Sequence, residues 1–107
     1  MGVKVESPRG FVVVAEGVSE ALAREASAEI ETVLEQTGVT AGEIENLRRR
    51  YQELGESGVD IQRLGAEDLK RYSINPSHVK ANKAIFAVLS TTRKKAPTGG
   101  VIGFRAA

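Results

Sequence analysis

The chain has no cysteine and no tryptophan, and only one histidine and one methionine. Without cysteine, no disulfide can brace the fold and no thiol can act as nucleophile or soft metal ligand. A lone histidine, His78, leaves too few good ligands for a zinc site. General acid–base catalysis usually draws on a histidine or on a carboxylate with a shifted pKa in a cleft. His78 falls in the first turn of the last expected helix, where a surface or capping role accounts for it. Glu25 and Glu29 stand one helical turn apart, as solvated glutamates commonly do, and no serine sits in a nucleophile-elbow context. The chain is therefore expected to be non-catalytic, with no cofactor, no metal and no small-molecule substrate.

Long hydrophobic runs are also missing. No stretch approaches the ~20 apolar residues needed to cross a bilayer, so no membrane partner is expected. The first residues alternate charge with apolar side chains and carry no secretory h-region, so a cytoplasmic location is expected. Aromatics are few, with three Phe and two Tyr, so the core must come mainly from Leu, Ile, Val and Ala. Such a core suits helices packed closely together. At 107 residues there is room for one domain, and 41% apolar with 27% charged residues is the balance of a globular chain rather than a disordered one.

The last absence is of acid. Residues 1–67 hold seven Lys/Arg against thirteen Asp/Glu, a net −6, whereas residues 68–107 hold eight against one, a net +7. Beyond Asp68 there is no carboxylate side chain at all. Such a split marks either a polyanion-binding end or two halves that fold against each other. Lys80, Lys83, Arg93, Lys94 and Lys95, joined by Arg105, form the candidate polyanion patch. The alternative for Arg93 to Lys95 is a helix C-terminus, where cations complement the dipole.

What is present reads mostly as helix. Residues 1–17 form an N-terminal arm, in which Phe11-Val12-Val13-Val14 is a short β-branched run that needs a strand partner. A helical domain follows over 18–95. Its first helix spans Ser19 to Gln36, with Ser19 as N-cap, Leu22, Ala26, Ile30, Val33 and Leu34 on one face, and Gly38 as the stop. Its second begins at Thr40, where Thr40 and Glu43 form a capping box and Val39 can staple onto Ile44. Ile44, Leu47, Tyr51 and Leu54 repeat on one side of it, and Gly55 is expected to end it. A linker over 56–65 leads to a short helical segment, Ala66 to Tyr72. Asn75-Pro76 then reads as cap and first residue of a last helix running to Lys94, with Val79, Ile85, Phe86 and Leu89 as its apolar stripe. Residues 96–107 are expected to be a flexible tail, because three glycines weaken any strand there, although the tail could instead pair with the Phe11–Val14 run. Gly99-Gly100-Val101-Ile102-Gly103 is not read as a phosphate loop, since no helix start follows it. The expected fold is mainly α: a small bundle of three main helices plus one short helix, with at most short β segments at the termini.

One local pattern carries a resemblance. Val33-Leu34, Gly38, Val39, Thr40, Ile44 and Leu47, followed by Arg48-Arg49-Arg50, resemble the helix-turn-helix of DNA-binding proteins. The resemblance implies a second helix lying in the major groove, with Thr40, Ala41, Asn46 and Arg49 toward the DNA. The alternative is a plain helical hairpin with a good cap, whose Glu45, Arg49 and Glu53 pair at i,i+4 spacing on a wet surface.

Two functions are consistent with these readings. The first is a non-catalytic protein–protein interaction or assembly module, self-association included, because Leu54, Val59, Ile61 and Leu64 cluster around a glycine-flanked linker that a small core need not cover. The second is a helix-turn-helix DNA-binding protein. The partner is accordingly another protein, a second copy, or nucleic acid.

Overall fold

A computed structural model describes residues 2–97 and 99–107. The first two strands, β1 (Gly2–Ser7) and β2 (Phe11–Glu16), form a hairpin. Four helices follow: α1 (Glu20–Thr37), α2 (Ala41–Glu56), α3 (Ala66–Arg71) and α4 (Pro76–Lys95), with a 3-10 turn at Ile61–Arg63 ahead of α3. The chain then returns as β3 (Val101–Ala106), antiparallel to β2, to complete a three-stranded sheet in the order β1-β2-β3.

The expectation of a mainly helical bundle is therefore wrong: the fold is α+β. The tail expected to be flexible holds a strand over residues 101–106, and the N-terminal arm is a strand from Gly2 onward. The reason is pairing. Val3 and Val5, separated by Lys4 and followed by Glu6, are the period-2 alternation of a half-covered strand. Ile102 and Phe104 alternate in the same way. Neither strand would hold alone, but the apolar β2 between them supplies hydrogen bonds on both sides. The register places Val13 between Val5 and Phe104, and Ala15 between Val3 and Ile102. This row faces the helices, and Phe11 and Phe104 meet there with ring centroids 5.1 Å apart.

The tail glycines also have a steric role. A Cβ at Gly100 would lie 2.7 Å from Val18 Cγ2 and 2.9 Å from the Gly17 carbonyl oxygen. Only glycine lets the chain pass that close on its way into β3.

α1 and α4 lie side by side on the inner face of the sheet. Ala23 and Ala26 of α1 and Ala81 of α4 are fully buried in the main core, and small residues of this kind let helices approach closely. The helix starts are as expected. Ser19 Oγ accepts the Leu22 N–H, the Thr40–Glu43 capping box is closed in both directions, and Asn75 caps a helix that begins with Pro76. The end of α2 is not as expected. Gly55 lies inside the helix, and the stop is Gly58, at φ +88°.

Beyond the main core, a second, smaller one forms where α2 and α4 are joined by the 57–75 segment. Leu47, Leu54 and Ile74 are its buried centre, with Tyr51, Val59, Leu64, Leu69, Tyr72 and Val79 packed around them.

Candidate interaction surface

The second core leaves part of its wall open. Between α2, the 3-10 turn, α3 and α4 lies a cleft of about 400 Å³. Tyr51, Ile61, Leu64, Leu69 and Val79 give it apolar walls, and Gln62, Asn82 and Lys83 supply the polar groups. Phe86 stands at its mouth with 62% of its surface exposed, and Ile61 is 37% exposed. The α4 residues that line it, Val79, Asn82, Lys83 and Phe86, stand at i, i+3, i+4 and i+7 and so share one helix face. Sequence spacing puts Phe86 on the buried stripe with Ile85 and Leu89. The stripe that α4 buries is instead Ala81, Ile85, Leu89 and Thr92, and Phe86 faces out. Burial raises the pKa of the Tyr51 hydroxyl above its usual value.

Phe86 and Asn82 also line a second cleft, of about 360 Å³, with Arg48, Leu89, Arg93, Ile102 and Phe104. Arg48 reaches from α2 to β3. Its Nη1 donates to the Phe104 carbonyl at 3.0 Å and its Nε to Asn82 Oδ1 at 3.2 Å, while the guanidinium lies 5.2 Å from the Phe104 ring centroid. Burial pulls its pKa below the ordinary guanidinium value, and the neighbouring Glu45 carboxylate acts in the opposite direction. Glu45 accepts the Ala106 N–H at 3.1 Å, so two adjacent turns of α2 hold the end of β3. The Arg93 guanidinium sits 6.0 Å from the Phe86 ring centroid, within cation–π range. Phe86 is thus a ridge, with apolar walls on one side and guanidinium groups on the other.

The residues singled out from sequence fall as follows. Ile61 and Leu64 line the cleft; Leu54 is buried in the second core, and Val59 packs against that core half-buried. Of the candidate polyanion patch, Lys80, Lys83, Arg93 and Lys94 lie on α4 and have no carboxylate within 4 Å among the described residues. Lys95 is different: its Nζ meets Glu25 Oε1 at 3.2 Å and ties α4 to α1. Arg105 belongs to the outer face of the sheet, opposite Val12. Of the helix-turn-helix candidates, the Thr40 hydroxyl is occupied as a cap, and Ala41 is buried. Asn46 and Arg49 are both exposed on α2, and Asn46 borders a shallow hollow with Arg50, Asn75 and His78. α2 leans on α4 and β3 rather than along α1. Arg50, not Arg49, pairs with Glu53.

Sequence reasoning missed Arg48, Tyr51, Leu69, Asn82 and Phe86 as surface-forming residues. Arg48 had a signal, because it stands four residues beyond Ile44 and three before Tyr51, on the flank of the apolar face. Among the described residues, no group of three or more His, Cys, Asp or Glu could hold a metal ion, and no helix is long and apolar enough to cross a membrane. Comparison with known protein families, with curated proteins and with solved structures finds no match to this chain.

Proposed function

We propose that this domain is a non-catalytic protein-interaction module that takes an apolar, acid-flanked segment of a partner protein into the cleft between α2, the 3-10 turn and α4. The observation that carries the reading is Phe86, a large apolar side chain held 62% exposed beside Ile61 at the mouth of an apolar-walled cleft. A small domain gains nothing in stability from leaving such a side chain in water, and aromatic anchors of this kind dominate the energetics of protein interfaces. The charge of the rim supports the partner's chemistry. Lys83 lines the cleft, Lys80, Arg93 and Lys94 share its helix, and residues 69–107 contain no acid to neutralise them. Carboxylates flanking the partner's apolar anchor would be steered in and held at this rim.

Selection of phage-displayed random peptides on the immobilised domain tests the reading. Selected peptides are expected to combine apolar anchors with Asp or Glu. Phe86→Ala and Ile61→Asp, both at exposed positions, should each weaken their binding by about tenfold or more, a loss of roughly 1.4 kcal/mol or more. Selected peptides whose affinity ignores both substitutions would refute the cleft as the binding site. Retardation of duplex DNA at low salt that is lost in Arg49→Ala but kept in Phe86→Ala would replace the reading with the DNA-binding one.

A further inference from the structure

The two edges of the sheet are treated differently. In an antiparallel strand the N–H and C=O of one residue point to the same side, and successive residues alternate. Arg48 and Glu45 reach the Phe104 carbonyl and the Ala106 N–H, so the even-numbered residues of β3 point away from β2. Through the register, the even positions of β2 then bond to β3 and the odd ones to β1. It follows that Gly2, Lys4 and Glu6 present their backbone groups at the outer edge of β1. At the outer edge of β3, α2 caps the Phe104 carbonyl and the Ala106 N–H. No hydrogen bond from another element reaches the outward backbone groups of Lys4 or Glu6 among the described residues.

An open edge is a template for another strand, and proteins normally blunt it with proline, bulges or charged side chains, whose effect on pairing with another strand depends on the signs set opposite each other. β1 has no proline and no bulge within it, and its two outward-edge charges are of opposite sign, Lys4 and Glu6. We propose that β1 pairs with β1 of a second copy, antiparallel and two-fold symmetric about Val5, joining the two sheets into one of six strands. In that register Lys4 stands directly opposite Glu6 of the second copy, and Glu6 opposite its Lys4. Both pairs place their outward N–H and C=O groups face to face, so backbone and side chains are satisfied by the same alignment. A symmetric pairing centred on Lys4 or on Glu6 would instead set like charges against each other. Pro8, which has no N–H, would face Gly2 of the second copy and end the ladder there.

The helix above the edge is compatible with this approach. Ser7 Oγ donates to Glu31 Oε1, which fixes that flank of α1 over β1. By helical spacing Arg24, Ala28 and Glu31 share the flank, a small residue between opposite charges. The contact uses none of the cleft residues, so the module would present two copies of its cleft, one on each side of the pair.

The test is solution mass by sedimentation equilibrium across a concentration series, with hydrogen exchange read in parallel. The wild-type chain is expected to approach twice the monomer mass, with the Lys4 and Glu6 amides becoming protected as the dimer forms. Lys4→Glu and Glu6→Lys should each raise the dissociation constant about tenfold, since two attractive cross-strand pairs become repulsive. An equimolar mixture of the two variants should recover the dimer. One strand then carries acid at both outward positions and the other carries base at both, so each cross-strand pair is attractive again. That recovery also shows that both variants fold. A wild-type chain that stays monomeric throughout the series, a dimer indifferent to both substitutions, or a mixture that fails to recover would each overturn the proposal.

Discussion

Single residues here are decisive where they touch two elements at once. Arg48 is the clearest case, since its guanidinium binds the Phe104 carbonyl and Asn82 and lies against the Phe104 ring. Hydrogen bonds from a charged donor are worth about 1.5–3 kcal/mol, so Arg48→Ala should cost about 2 kcal/mol in denaturant unfolding. Arg48→Lys should recover only part of this, because an ammonium cannot reproduce the planar fork. The glycines of the returning segment separate in the same experiment. Gly100→Ala sets a methyl against Val18 and the Gly17 carbonyl and should cost about 1–3 kcal/mol. Gly103→Ala meets only Val14 Cγ2 at 3.8 Å, an ordinary contact, and should be close to neutral. In the sequence these glycines look alike, because the distinction depends on what passes beside them.

At the scale of elements, legibility follows whether the signal is local. The starts of α1, α2 and α4 can be read because each is written in adjacent residues: Ser19, the Thr40–Glu43 box, and Asn75-Pro76. The end of α2 cannot, since the helix runs through Gly55 and stops at Gly58, where Gly58 donates to the Gly55 carbonyl. β1 and β3 are only partly legible: Val3-Lys4-Val5 shows a strand's alternation over few residues, and pairing of the tail with the Phe11–Val14 run, which the structure shows, is one of two readings left open because β2 is remote in sequence from β3. Deleting residues 99–107 should therefore do more than trim a tail. It uncovers Phe11 and Val13 in the core, and the truncated chain is expected to lose cooperative thermal unfolding. The capping box gives the element its pH response. Glu43 has a pKa below the ordinary 4.5, first because it accepts the Thr40 backbone N–H, with burial opposing, and with the Thr40 hydroxyl and His78 as smaller contributors that lower it. A carboxylate depressed in the folded state stabilises above the unfolded pKa and loses that contribution as pH falls through the folded one. The melting temperature should thus drop below about pH 4.5, and Glu43→Gln should shrink that drop, while Thr40→Ala, which keeps the backbone N–H, should cost about 1 kcal/mol at neutral pH.

Across the whole molecule, the charge asymmetry of the sequence is resolved only in part. The Lys95–Glu25 ion pair and the His78–Glu43 contact join the acidic and basic portions of the chain, but most ion pairs are local, such as Arg24–Glu20, Arg63–Asp60 and Arg71–Asp68. Surface pairs of this kind contribute little to stability. Of the α4 cations outside them, Lys83 lines the cleft and Arg93 lies by the Phe86 ring. Of the candidate site, Ile61 and Leu64 are legible as apolar residues a small core need not cover, while Phe86 is hidden because it adjoins the buried Ile85. The most direct measurement is a 15N–1H correlation spectrum of the labelled domain, titrated with a peptide selected on it. Shift changes should concentrate at Ile61, Leu64, Lys83 and Phe86 and leave β1 and β2 unmoved. Changes that instead gather on the outer face of the sheet, or along Asn46 and Arg49 of α2, would contradict the account.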